Sequence, residues 1–90
     1  MNTMFLLMAE YETTNILLAD ISEKYLGMAP STANKKAAAG LLPFPVYRIG
    51  STQKAAWVIH VQDLAEHINK QRDAAKAEWQ ATRTLLATLT

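Results

Sequence analysis

From Gln62 to Leu89 the chain contains neither proline nor glycine, and good helix formers fill the run. Nothing in it breaks a helix, so close to the last third of the sequence is committed to one element. At ~1.5 Å per residue that helix extends ~40 Å, longer than a small core needs. The chain has 90 residues, enough for one core, and the residues before Gln62 must build most of it. Half of the sequence is apolar and 19% is charged, which fits a folded domain and argues against a disordered one. With no cysteine, disulfide staples and thiolate metal sites are also excluded.

Asn2 and Thr3 can each cap a helix, and Met4, Phe5, Leu6, Leu7, Met8 and Tyr11 follow as a dense apolar block. The pattern predicts a short buried helix, with a strand as the alternative. Met4 to Ala9 is too short to span a bilayer and lacks the basic lead-in and cleavage site of a signal peptide. The expectation is a cytoplasmic protein without membrane contact. Glu12 to Asn15 reads as a loop, and Asn15 to Leu18 as a short extended segment.

Asp20 with Glu23 three residues on has the spacing of a capping box. Leu17, Ile21 and Tyr25 recur every four residues, with Leu18 and Leu26 beside them, and predict a helix of about two turns. Gly27 is its natural stop. Pro30 suits a first helical turn, so Ser31 to Ala39 reads as a second short, alanine-rich helix ended by Gly40. Helix, glycine turn, helix is the helix-turn-helix order. Pro43-Phe44-Pro45 denies helix and favours an extended edge. Val46 to Ile49 and Ala56 to Val61 read as two strands, joined by Gly50 to Lys54 as a hairpin with a polar, basic tip. A hairpin in that position is a wing.

Formal net charge is only +1, yet the charges are segregated. Residues 1–30 sum to −3, residues 61–90 cancel, and residues 31–60 carry Lys35, Lys36, Arg48 and Lys54 with no acid, a balance of +4. Lys35 and Lys36 fall on the second helix of the motif, Arg48 and Lys54 on the hairpin. In such an architecture the second helix enters the major groove and the wing touches backbone or the adjacent minor groove. Lysine and arginine there neutralise phosphates, and Asn34 and Gln53 carry the paired donor and acceptor that read an adenine edge. Ser31, Thr32, Ser51 and Thr52 add hydroxyls to the same two elements. These ten residues are the candidate contacts to double-stranded DNA. The competing reading is a compact mixed domain whose lysines keep it soluble.

His60, Asp63 and His67, spaced by three and four, are the right residue types for a metal, but no third strong ligand set or supporting shell is visible. A strand-end histidine and an exposed helix histidine explain them better, so no cofactor is expected. Ser22, Ser31 and Ser51 lack a nucleophile elbow, no glycine-rich phosphate cradle is present, and no paired carboxylates sit in an obvious pocket. Catalysis is not expected. Ile68, Arg72, Ala75, Trp79, Thr82, Leu86 and Leu89 recur at steps of four and three, a heptad seam imperfect at Arg72 and Thr82. This stripe either folds back on Phe5 to Met8 or pairs with another subunit. Self-association through Ile68, Ala75, Trp79, Leu86 and Leu89 into a homodimer or higher homo-oligomer is the favoured reading.

The sequence resembles the pyocin activator (PrtN-type) family of small bacterial transcription regulators. The resemblance starts at Met1-Asn2-Thr3 and runs through Phe5-Leu6-Leu7-Met8-Ala9, Tyr11 and Tyr25. It continues with Lys36, Gly40, Leu42-Pro43, Arg48 and Gln53-Lys54, and ends with His60, Asp63-Leu64-Ala65 and Ile68. It covers roughly residues 1–72. It implies a transcriptional activator of phage-derived, bacteriocin-like gene clusters that binds DNA upstream of them, with RNA polymerase as a further partner. The order of elements also resembles excisionase-like factors, which bend DNA. The expected fold is α+β, a small winged helix-turn-helix domain of the MerR or excisionase-like kind over 1–72, with an N-terminal helix and a C-terminal helical extension over 73–90. A protein-interaction module with no DNA role is the rival from another class.

Overall fold

The computed structural model of the chain describes residues 2–50 and 55–89. In chain order it has α1 (Thr3–Tyr11), β1 (Asn15–Leu17), α2 (Leu18–Ile21) running into a π-helical turn (Ser22–Leu26), and α3 (Pro30–Ala38). β2 (Tyr47–Arg48), β3 (Trp57–His60) and α4 (Val61–Leu89) complete it. The architecture is α+β: helices packed on one small antiparallel sheet with strand order β1-β3-β2.

α1 is capped as the sequence suggests, the Met4 N–H donating to the Asn2 side chain at 2.7 Å. Leu7 is buried, and Met4, Met8 and Tyr11 pack beside it at helical spacing. The expected buried helix is only half right, because Phe5 and Leu6 on the other side are 56% and 52% exposed. A block apolar all round has one face to spare when a single core lies beneath it. α1 ends at Glu12, the one non-glycine among the described residues with a left-handed backbone, φ 55°, where its N–H donates to the Met8 carbonyl. Thr3 Oγ1 bonds Asn69 Oδ1 at 2.9 Å and the Val61 N–H donates to the Thr14 carbonyl at 2.8 Å. These two contacts hold α1 antiparallel to the first turns of α4.

β3 is the middle strand. Ile59 pairs with Ile16 of β1, Val58 lies between Leu17 and Tyr47, and Trp57 pairs with Arg48 of β2. Alternation puts Ile16, Ile59, Trp57 and Arg48 on the inner face. Asn15, Leu17, Tyr47 and Val58 share the other face, where the Tyr47 hydroxyl reaches across β3 to donate to Asn15 Oδ1. The expected hairpin is present but shorter than read, since Val46, Ile49 and Ala56 lie outside the strands and Val61 opens α4. The Pro43-Phe44-Pro45 segment forms no strand. Phe44 instead plugs the core edge, with its ring edge-on to His67 at 5.1 Å between centroids.

The proposed Asp20 capping box is not formed. Leu17 is still extended and α2 starts at Leu18, so Asp20 sits inside the first turn and no side chain caps the helix. Leu17 therefore leaves the predicted helical stripe and is 44% exposed, while Leu18, Ile21 and Ser22 take the buried positions. The widened π turn gives way at Gly27, φ 66°, as expected of a left-handed stop. On the surface, Lys24 Nζ meets Glu10 Oε1 at 2.6 Å and links this turn to α1. That hydrogen bond raises the lysine pKa above its ordinary value. At the other end of the sheet the Gln62 N–H donates to His60 Nδ1 at 3.0 Å, so His60 caps α4.

Val61, Leu64 and Ala65 are buried and Ile68 packs against the same core. Beyond them, residues 70–88 are all exposed, so the tail does not fold back on α1. The molecule is correspondingly long, 60 × 30 × 17 Å. No helix among the described residues is long and apolar enough to cross a membrane.

Ile59→Ala should cost about 2–5 kcal/mol in thermal or urea unfolding, whereas Leu41→Ala at a 69% exposed position should change stability by less than about 0.5 kcal/mol. Equal effects would contradict this core. Glu12→Gly should stabilise by about 0.5–1 kcal/mol, read as a higher Tm, because glycine takes the left-handed backbone without a Cβ clash.

Candidate nucleic-acid interface

α3 is positioned by its smallest side chains. Ala33 and Ala37, one turn apart, are buried in the same core cluster as Leu18 and Ile21, and alanine lets the two helices approach closely. Pro30 starts α3 at its first turn, as read from the sequence. Its end is a Schellman closure: the Leu41 N–H donates to the Lys36 carbonyl and the Gly40 N–H to that of Ala37, with Gly40 at φ 70°.

With Ala33 and Ala37 facing inward, the ~100° step per residue fixes where every other α3 side chain points. Ser31, Thr32 and Lys35 look outward, Asn34 lies on the flank nearest the hairpin, and Lys36 lies on the opposite flank. All five are exposed. The structure therefore separates the two lysines that the sequence presents as a pair.

Between α3 and the hairpin is an open concavity of ≈ 470 Å³ lined by Asn34, Lys35 and Ala38 of α3, Leu17, Ala19, Arg48, Ala55, Ala56 and Trp57. Arg48 is half-buried, and its guanidinium lies over the Trp57 ring, 4.5 Å from the centroid. A cation held on an indole face is partly immobilised before any ligand arrives. The concavity thus combines two positive groups, one amide and an apolar floor. That combination suits a polyanion whose surface alternates charged and flat apolar parts, and the neutral alanines leave room for it.

Of the sequence-predicted contacts, Asn34, Lys35 and Arg48 come together at this concavity. Ser31 and Thr32 share the exposed outer face of α3, and Lys36 stands apart. Ser51, Thr52, Gln53 and Lys54 lie outside the described residues. Trp57 joins Asn34, Lys35 and Arg48 at the concavity without being among the sequence-predicted contacts; its signal is the hairpin register, which sets it directly opposite Arg48. His60 and His67 are engaged by the α4 cap and Phe44, and among the described residues no three potential ligands come together to hold a metal. Of the seam residues, Ile68 packs against the core, while Ala75, Trp79 and Leu86 are exposed on α4. Leu89 ends the helix, and its side chain lies outside what is described.

In a Trp79→Phe background Trp57 is the sole indole, since the chain has two tryptophans. There Arg48→Ala should shift the Trp57 emission spectrum while Lys36→Ala leaves it unmoved. An unchanged spectrum in both would contradict the Arg48–Trp57 contact.

The model of the family described as Pyocin activator protein PrtN matches residues 3–75, spanning α1 through the first half of α4. No curated protein and no solved structure matches the chain. The chain belongs to the pyocin activator protein family.

Proposed function

We propose that this member of the pyocin activator family is a winged helix-turn-helix protein that binds double-stranded DNA and activates transcription of phage-derived, bacteriocin-like genes. α2 with its π turn and α3 are the two helices of the motif, and the β2–β3 hairpin is the wing. In this reading the outer face of α3, with Ser31, Thr32 and Lys35, enters the major groove. Arg48 neutralises the adjacent phosphates from the wing, joined by Ser51, Thr52, Gln53 and Lys54. Asn34, on the flank between helix and wing, is the candidate for reading a base edge. RNA polymerase is the expected protein partner of an activator seated upstream of a promoter.

The observation that carries the reading is the concavity between α3 and the hairpin, where Lys35 and Arg48 converge within a stretch of sequence that holds no acid. The family supplies the regulatory role. With so few charges the non-specific affinity is modest and strongly dependent on salt.

A genome-wide footprint identifies the bound sites, and fluorescence anisotropy on one of them tests the residues. Lys35→Ala and Arg48→Ala should each weaken binding to every sequence and reduce the log–log salt slope by about 1. Asn34→Ala should instead relax preference at one base pair by about 1–3 kcal/mol. Lys36→Ala, on the far flank, should change affinity less than Lys35→Ala. Unchanged affinity and slope in both Lys35→Ala and Arg48→Ala would overturn the assignment. Anomalous mobility of circularly permuted fragments would favour an architectural, DNA-bending role over simple activation.

A further inference from the structure

The stripe of α4 that buries Val61, Leu64, Ala65 and Ile68 does not stop where the core stops. At the same three-and-four spacing it runs on through Arg72, Ala75, Trp79, Thr82 and Leu86, all exposed. Trp79 is 56% exposed and Leu86 57%, with Leu85 beside the stripe at 60%. A helix that leaves its own domain with such a stripe meets another helix along it.

We infer that the occupant is a second copy of this chain, docked as a parallel, in-register two-stranded coiled coil over 72–89. The charges flanking the stripe decide the partner and its direction. Placing Ala75 and Thr82 at heptad d and Arg72, Trp79 and Leu86 at a puts Glu78 at g and Lys76 and Arg83 at e. In a parallel pair each g residue faces the e residue five positions further along the other helix. Glu78 then meets Arg83 of the second copy, twice by symmetry. In an antiparallel pair a positions pack against d positions, with g facing g and e facing e; setting Trp79 against Ala75 then puts Glu78 opposite Glu78 and Lys76 opposite Lys76, which repels on both edges. In the parallel pair Arg72 lies at the mouth of the coil, where its long arm reaches water. Arg83 already lies over its own Trp79 ring, 4.9 Å from the centroid, which holds it at the rim of the stripe.

The inference is independent of the DNA reading and is measured without DNA. Full-length protein should sediment as a reversible dimer across a dilution series. Glu78→Arg and Arg83→Glu should each raise the dimer dissociation constant by about tenfold, and the double swap should recover most of it. An equimolar mixture of the two single variants should form heterodimers in preference to either homodimer. Because residues 70–88 are exposed, the domain itself should unfold at a comparable temperature when compared as monomers. The chain has no cysteine, so Ala75→Cys introduces a unique thiol. It should oxidise to a 75–75 cross-link, since a disulfide needs the two Cα atoms within about 7 Å. A monomer at all concentrations would overturn the inference. So would a dimer that is insensitive to the charge reversals or forms no 75–75 cross-link.

Discussion

The whole molecule hangs on the passage from β3 to α4. The four residues of β3 carry β1 on one edge and β2 on the other, meeting at Val58, and the next residue, Val61, already opens the long helix. Ile59, Val61 and Leu64 are among the least exposed residues in the protein, so strand, junction and helix are buried together. With no linker, the direction of the sheet dictates the direction of α4. β1 and β2, each too short to persist alone, exist because β3 offers both of its edges. His60 belongs to both elements: it pairs with Asn15 in the sheet, and its ring accepts the Gln62 N–H that would otherwise be orphaned at the helix start. α1 then locks over the outside of α4 through Thr14 at one end and Asn69 at the other.

Against this frame α3 is held by small contacts rather than large ones. Two alanines seat it on α2, and a glycine closes its end, so nothing bulky protrudes from the outer face except the lysine stems. Its rotational setting follows from which two alanines are buried. That setting turns a run of adjacent basic residues into one lysine on the outer face, bordering the concavity, and one on the far flank. Arg48 takes the complementary position from the sheet side, braced on Trp57. The chain is nearly neutral in total, but position, not total, determines the field a polyanion would meet.

Local chemistry announced much of this. Asn2, Gly27, Pro30 and Gly40 each act where their backbone preferences say they should, and the uninterrupted run after Gln62 is helical to its end. What escaped was long-range or one residue out of phase. β1 is three residues long, and its partner lies more than forty positions away, so pairing could not be inferred from either segment alone. The helix after it starts at Leu18, which moves Asp20 past the capping position and Leu17 off the helical stripe. Phe5 and Leu6 look like core because hydrophobicity alone does not say how many faces a core can cover. The candidate site could be written from the sequence as a list of residues but not as a geometry. Separating Lys35 from Lys36, and adding Trp57 to Arg48, required the phase of α3 and the register of the hairpin.

α4 carries buried residues at one end and an exposed stripe at the other with no break between them. It therefore behaves as a shaft keyed at the domain end. Whatever grips the far end inherits an angular setting relative to α3 and the hairpin, transmitted by ordinary helical pitch. Every residue added or removed between Asn69 and Ala75 would turn the two ends against each other by about 100°, and changes of about seven or eleven residues would bring them back to within about 20° of alignment. Spacing within this stretch is thus a mechanical quantity, constrained by torsion even where the side chains themselves touch nothing.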